Sequence, residues 1–535
     1  MADAYVNGTI YSMRSQEEVL TSIVIEGDRF AYCGNDQNYA IGYAKKTGGQ
    51  VIDLKGQVIV PGMTDAHLHL FSYARDLQKL NLKGCTSKRE LFLRIANKVK
   101  ETPKGEWIIG TGFDHEVFTD DRSLPKRWEL DHVSPDNPLI ITRYCLHISC
   151  ANSMALKAGR IGTGYKPDVE GTVEFTDEGE PNGVLRDKAA GDVIALVPNR
   201  LDSVEGKADA VAAACRELNK VGITGVHPTS AADYDLPEYA NVYQYLRDYG
   251  KLTVRVYLGF DQLPGCSIST GLGDDMVKFG FYKLFMDGNM GGRTAYLTEP
   301  YADDPGNTGI GNYYDQKELD DKVQKAYDLG IQVAAHAIGD KGCEQIVTSF
   351  EHMLKRHEPR CARPFRIIHA SLLNRDLIER IAELPVILDV QPMFLATDIR
   401  WCESRFGRTR SEYLWCWRKL IDKGIILTGS SDSPCETFNP MYGIYAAVTR
   451  QGIDGYPDGG WYPENKINVY EAMCMYTKNP AYASNTDKEM GTIEKGKLAD
   501  FVALDQDIFR IEPNKIKDIQ VNATYLGGKQ VFEKI

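Results

Sequence analysis

The pattern of apolar and polar positions changes between the ends of the chain and its middle. From residue 1 to about 57, apolar and polar residues alternate in short runs, as in Asp3-Ala-Tyr-Val-Asn7-Gly8-Thr-Ile-Tyr11 and Ser22-Ile-Val-Ile-Glu-Gly27-Asp28-Arg-Phe-Ala-Tyr-Cys33. Side chains of a strand point to opposite faces in turn, and Asn-Gly or Gly-Asp supplies the positive φ of a tight turn, so these stretches predict two β-hairpins. The stretches Gly491 to Asp505 and Ile519 to Phe532 read the same way. Two β-rich ends predict one small β-sandwich, residues 1–57 with 485–535.

The middle alternates apolar runs with helical patterns, which predicts βαβ units and a parallel sheet covered on both faces. The runs are Val58 to Leu70, Gly222 to His227, Leu252 to Gly259, Gly280 to Gly288, Ile331 to His336, Phe365 to His369, Val386 to Pro392 and Ile425 to Asp432. Eight strands with intervening helices predict an α/β fold, a closed (β/α)8 barrel over 58–80 and 206–484, with chemistry at the carboxyl ends of its strands. Residues 81–205 are far more than a crossover helix needs, so an inserted subdomain is expected there.

Composition narrows the class. A chain of 535 residues exceeds what one hydrophobic core usually supports. Apolar residues at 43% and charged residues at 25% suit a soluble globular enzyme. A formal charge of -12 argues against a nucleic-acid surface, which needs clustered Lys and Arg. There is neither a charged leader followed by an apolar core nor an apolar run of membrane-spanning length, so a cytoplasmic protein with no membrane partner is expected. Twelve cysteines without a Cys-x-x-Cys pair read as reduced thiols, with Cys145, Cys150 and Cys343 as small core residues.

The candidate chemistry lies at the predicted strand ends. His67 and His69, at i and i+2, point to one face of the first strand. Lys283 ends the fourth strand, His336 the fifth, His369 the sixth and Asp432 the eighth. Four imidazoles and a carboxylate suit zinc or a similar divalent ion. Any one of them alone is explained by an ordinary hydrogen bond or by solvation, whereas the joint placement points to a metal centre. His147, Arg293 and Gln391 are candidate substrate contacts. His227 reads as structural or supporting, and His115, His132, His352 and His357 as background. Phe394, Trp401, Phe406, Tyr413, Trp415 and Trp417 follow the seventh strand and are expected to form an apolar lid over the catalytic face.

Pro61-Gly-Met-Thr-Asp-Ala-His-Leu-His69, Lys283-Leu-Phe-Met-Asp-Gly288, His336-Ala-Ile-Gly-Asp340, Arg366-Ile-Ile-His-Ala370, Gln391-Pro392 and Gly429-Ser-Ser-Asp-Ser-Pro434 together resemble the amidohydrolase superfamily. They are most similar to its amidohydrolase-3 branch, which includes N-substituted formamide deformylase-like proteins. The likeness extends to Asn182-Gly-Val-Leu-Arg186, Gly291-Gly-Arg-Thr294 and Gly496-Lys-Leu-Ala-Asp500. The resemblance implies that His67, His69 and Asp432 hold one divalent ion, zinc being the expected one. It implies a second ion on His336 and His369, with Lys283 bridging as a carbamate; where carboxylation fails, one ion is left. Deaminases of the superfamily generally lack this lysine and carry Glu shortly after the fifth-strand histidine, where this chain has Gly339 and Asp340. That difference favours hydrolysis of an amide-like, non-peptide carbon–nitrogen bond in a small molecule. Metal-activated water would attack the carbonyl carbon, with Asp432 as general base. Other hydrolyses on the same ligands (cyclic ureide, lactone or phosphoester), deamination, or a non-catalytic binding role are the alternatives. A homodimer would be unsurprising.

Overall fold

The computed structural model describes residues 1–145, 147–166, 171–198, 201–229, 236–265, 268–311, 313–356 and 358–534. The chain divides into two compact units, Met1–Ser72 with Val211–Ile535, and Tyr73–Ala210.

The first unit is organised by eight parallel strands: β1 (Met63–Leu68), β2 (Ile223–Pro228), β3 (Arg255–Phe260), β4 (Val277–Phe285), β5 (Gln332–Ala337), β6 (Phe365–His369), β7 (Val386–Val390) and β8 (Ile426–Gly429). Each pairs with the next in chain order. β8 lies against β1, giving a nearly closed barrel. Across this seam Ser431 N donates to Asp65 Oδ1 at 3.1 Å, Asp432 N to the His67 carbonyl at 2.8 Å, and His69 N to the Ser433 carbonyl at 2.8 Å. The strands are buried on both faces, which is why β7 reads Val-Ile-Leu-Asp-Val without alternation. The crossover helices follow from their caps. Asp315 accepts from Glu318 N to start Gln316–Leu329, whose stripe of Leu319, Val323, Ala326 and Tyr327 is buried. Gly330, at φ 73°, ends that helix and turns the chain into β5.

Both chain ends meet in one eight-stranded sheet of Ala2–Tyr11, Val19–Glu26, Arg29–Gly34, Val51–Asp53, Val58–Pro61, Phe501–Leu504, Val521–Leu526 and Lys529–Glu533. The hairpin at Gly27-Asp28 forms as expected, with Glu26 opposite Arg29. The one expected at Asn7-Gly8 does not. Ala2–Tyr11 is a single strand paired with Val19–Glu26, and its register shifts between Val6 and Ile10 where Asn7 takes φ 59°. Asn-Gly here makes a bulge, because the neighbouring strand continues past it.

The apolar run before the histidines is also two strands where one is expected. Val58–Pro61 pairs with Thr9 and Ile10 and with Phe501–Leu504, and the barrel strand starts only at Met63. Pro61 has no N–H to donate, and Gly62 N donates to the Asp500 carbonyl at 2.9 Å. A Cβ on Gly62 would lie 2.1 Å from Thr224 Oγ1 on β2, so only glycine lets the chain cross from one sheet to the other here. A Gly62→Ala substitution is expected to lose about 1–3 kcal/mol by overpacking, seen as a lower Tm; an unchanged Tm would mean that the strands part freely. Asp500 reinforces the crossing. It takes a bidentate pair from Arg255 of β3 at 2.6 and 2.8 Å and the Gly527 N–H at 2.7 Å, which accounts for the acid ending Gly496–Asp500.

The second unit contains a six-stranded sheet in the order Gly171–Phe175, Pro181–Asp187, Ile148–Ala151, Leu139–Arg143, Ile108–Phe113, Leu80–Asn81. It has its own core around Leu91, Phe113, Leu130 and Ile141. Among the described residues no helix is long and apolar enough to cross a membrane. The described cysteines are free; Cys150 and Cys343 are buried as expected, and Cys145 is only half-buried.

Candidate metal centre

The barrel register brings the candidate ligands to one end. His67 and His69 leave β1 with ring centroids 5.3 Å apart. Asp432, just after β8, takes φ 56° and sets Oδ1 3.3 Å from His67 Nε2 and 3.2 Å from His69 Nε2. The ligand atoms of these three residues all lie within 4.8 Å of one another. On the other side of the barrel, His336 and His369 have ring centroids 4.4 Å apart, and His369 is 5.7 Å from His67. Phe285 of β4 pairs with His336 and Lys283 with Ala334, so the lysine starts one pleat deeper. His369, at φ 78°, is held like Asp432 in the left-handed region, where a side chain other than glycine is strained.

Three of the four rings can be accounted for nitrogen by nitrogen. His336 Nε2 lies 2.9 Å from the Gly288 carbonyl, which only accepts, so Nε2 carries the proton and Nδ1 is free to ligate. His369 Nδ1 bonds Gln391 Oε1 at 2.7 Å, leaving Nε2 free. His69 Nδ1 meets Thr229 Oγ1 at 3.2 Å, leaving Nε2 toward Asp432. Metal-binding imidazoles are held in this way, one nitrogen anchored by the protein and the other offered.

Among the described residues, three buried polar atoms here, His67 Nδ1, Lys283 Nζ and Asp432 Oδ1, have no well-aligned hydrogen-bond partner. Buried atoms of this kind cost free energy unless something satisfies them. Burial works to raise the Asp432 carboxyl, but His67 and His69 outweigh it and hold the group well below the usual range, so it is ionised. Burial pulls the Lys283 amine down to about 7 against the opposing pull of Asp432 and Asp389. Burial also keeps His67 and His369 neutral, the form that binds a metal. Imidazoles, a carboxylate and a neutral amine with free lone pairs fit a divalent ion of the zinc type.

Beneath the ligands lies a buried polar layer. Arg366 Nε donates to Asp389 Oδ2 at 2.9 Å, and its Nη2 donates to the Ala66 carbonyl at 3.0 Å and lies 3.2 Å from His227 Nδ1. Thr428 Oγ1 donates to the other Asp389 oxygen at 2.5 Å. His227 is therefore a supporting residue inside this layer.

Of the expected substrate contacts, Gln391 is buried behind His369, with Nε2 donating to the Asp389 carbonyl and to Ser430 Oγ, both at 2.9 Å. Arg293 makes a bidentate pair with Asp303 at 3.1 and 2.9 Å. His147 is exposed in the second unit, with Nδ1 2.8 Å from Asp187 Oδ1. His357 lies outside the described residues. Half of the expected aromatic lid is core. Phe406 is buried on the apolar side of the helix Pro392–Ser411, which breaks at Gly407, and Trp415 and Trp417 are buried beyond its end. Only Phe394 reaches a ligand, its ring nearly parallel to His369 at 5.9 Å and 9°.

Two acids of the site were not singled out from the sequence. Asp65 is pushed up to about 7 by burial; its Oδ2 accepts from Ser431 Oγ at 2.5 Å. Asp287 accepts from the backbone N–H groups of Ile338 at 3.0 Å, Gly339 at 2.7 Å and Tyr296 at 2.9 Å, and lies 3.4 Å from His336 Nε2. Both stand inside the quoted motifs, Asp65 two residues before His67 and Asp287 four after Lys283; that proximity was the available signal.

Residues 50–532 match the sequence profile described as the Amidohydrolase family. The chain belongs to the amidohydrolase family. Among its relatives, the putative amidohydrolase YtcJ of Bacillus subtilis (strain 168) is 34% identical over 98% of both chains. The N-substituted formamide deformylase of Arthrobacter pascens is 27% identical over 99% of this chain and 98% of its own. The crystal structure of an uncharacterized metal-dependent hydrolase from Pyrococcus furiosus superposes with a TM-score of 0.74 at 28% identity, covering 95% of this amidohydrolase and all (100%) of that chain.

Proposed function

We propose that this amidohydrolase cleaves an amide-like, non-peptide carbon–nitrogen bond in a small-molecule substrate. The observation that carries the reading is the convergence of His67, His69 and Asp432 within 4.8 Å, in a buried centre that also contains the unpartnered Lys283 amine. His67, His69 and Asp432 would hold one divalent ion, zinc by donor chemistry; His336 and His369 would hold a second with a carboxylated Lys283. When bound, the metal makes water a nucleophile near neutral pH and polarises the substrate carbonyl. Asp432, ionised at that pH, takes the proton from the attacking water and returns it to the leaving nitrogen as the carbon–nitrogen bond breaks. A carboxylate and an amine result. At about 7, the Lys283 amine is half neutral near physiological pH, the form that can add carbon dioxide and become an anionic oxygen donor. The deformylase among the relatives acts on bonds of this class, which supports the reading over deamination.

The test is elemental analysis of the purified protein together with a screen of N-acyl and N-formyl compounds for released amine. One or two divalent ions per chain and amine release that stops on chelation are expected. Less than one ion, unchanged by added zinc, would remove the metal assignment.

A further inference from the structure

The amide of Gln391 is fixed at both ends, and that fixes a proton on His369. One end lies 2.9 Å from the carbonyl oxygen of Asp389. A carbonyl only accepts, so this end must be the NH2 group. The same end lies 2.9 Å from Ser430 Oγ, whose own proton goes to the Val390 carbonyl at 3.1 Å, leaving an oxygen that accepts. The other end of the amide, 2.7 Å from His369 Nδ1, is therefore oxygen. Amide oxygen also only accepts, so His369 must carry its proton on Nδ1 and present Nε2 as a lone pair. Turning the amide over would set oxygen against the Asp389 carbonyl, in a place where Gln391 and His369 are only 1% and 2% exposed.

The contrast with the other half of the centre is physical. His69 is anchored on Nδ1 by the Thr229 hydroxyl, which can donate or accept, and His67 Nδ1 has no hydrogen-bond partner among the described residues; both rings turn Nε2 toward the charged Asp432, so no neutral acceptor fixes either tautomer from behind. His369 is fixed in that way, by a chain of contacts that starts at the β7 backbone and involves no charge. Phe394, three residues beyond Gln391, lies nearly parallel to the same ring.

We propose that Gln391 is a positioning residue that locks His369 as the Nδ1–H tautomer and thereby sets the metal affinity of the His336 and His369 half of the centre. Its effect on metal binding rests on the metal-hydrolase reading above; the tautomer stands on the hydrogen bonds alone.

The experiment uses chelated, metal-free full-length protein labelled with nitrogen-15 histidine, with the His369 signals assigned through a His369→Gln variant. Imidazole nitrogen–proton correlation spectra of the parent are expected to show His369 protonated on Nδ1. In Gln391→Met, which keeps the length of the side chain and removes both its ends, the Nε2–H form is expected to appear. Zinc titration of that variant is expected to weaken one class of site by about 10- to 100-fold, leaving the other as in the parent. An Nε2–H His369 in the parent would overturn the proposal, as would a folded Gln391→Met that binds zinc in both classes as the parent does. A parent that shows Nδ1–H but binds no zinc would refute the metal-hydrolase reading and the affinity claim, while leaving the tautomer lock standing.

Discussion

Asp432→Asn is expected to lower kcat by about a hundred- to ten-thousand-fold, the range for losing a positioned general base. Asparagine keeps the shape and one oxygen, so the barrel seam, built from the backbone of Asp432 and the His67 carbonyl, should survive. What goes is the negative charge that His67 and His69 hold ionised, and with it the acceptor for the proton of water. KM is expected to move much less, since the substrate carbonyl does not need that proton acceptor to bind. Steady-state kinetics on an amide found in the screen, with metal analysis of the same preparation, separate the two roles of Asp432. Activity within tenfold of the parent at full metal content would place the base elsewhere.

Lys283→Met is expected to leave one metal ion fewer per chain, because thioether is a poor donor for zinc and cannot take up carbon dioxide to give an anionic oxygen. A carbonyl resonance from carbon-13 carbon dioxide, present in the parent and absent in the variant, would identify the bridging group directly. An unchanged metal content would show that the lysine is structural. The same substitution carries a pH signature in the metal-free protein. The folded chain holds the Lys283 amine at about 7, whereas an unfolded lysine titrates near 10.4. Between those values the unfolded state binds the extra proton, so stability rises with pH, by up to about 1.4 kcal/mol per unit, and falls as pH drops toward 7. Methionine should abolish that slope, which denaturant titrations from pH 7 to 10 would measure.

The barrel was legible because parallel strands buried on both faces leave long apolar runs, and all eight fall where β1–β8 are found. Histidines, a lysine and an aspartate at the ends of those runs stand out, and the structure brings His67, His69 and Asp432 together and sets His336 beside His369. What was hidden depends on contacts between distant residues. Gly62 divides an apparently continuous strand because of Thr224, which is far away in the chain. Asn7-Gly8 would turn a lone pair of strands, but a third pairs past it. The aromatics after β7 read as a lid because a loop after a barrel strand lies on the catalytic face, but nothing local shows which way each ring turns; packing put Phe406, Trp415 and Trp417 in the core. Gln391 looked like a substrate contact because nothing local reveals that His369 lies across its oxygen.

The hydrogen bonds across the barrel seam set the order in which this protein can mature. Asp65 and Ser431 are 366 residues apart in the chain, and the ligand triad is split between the same two segments. Contacts of such long sequence separation form late, after the entropy of closing the intervening loop has been met. A nascent chain still lacking its last barrel strand thus carries two histidines and no carboxylate to complete the triad. That three-residue group is then assembled only at the end of synthesis, when Asp432 reaches the two histidines.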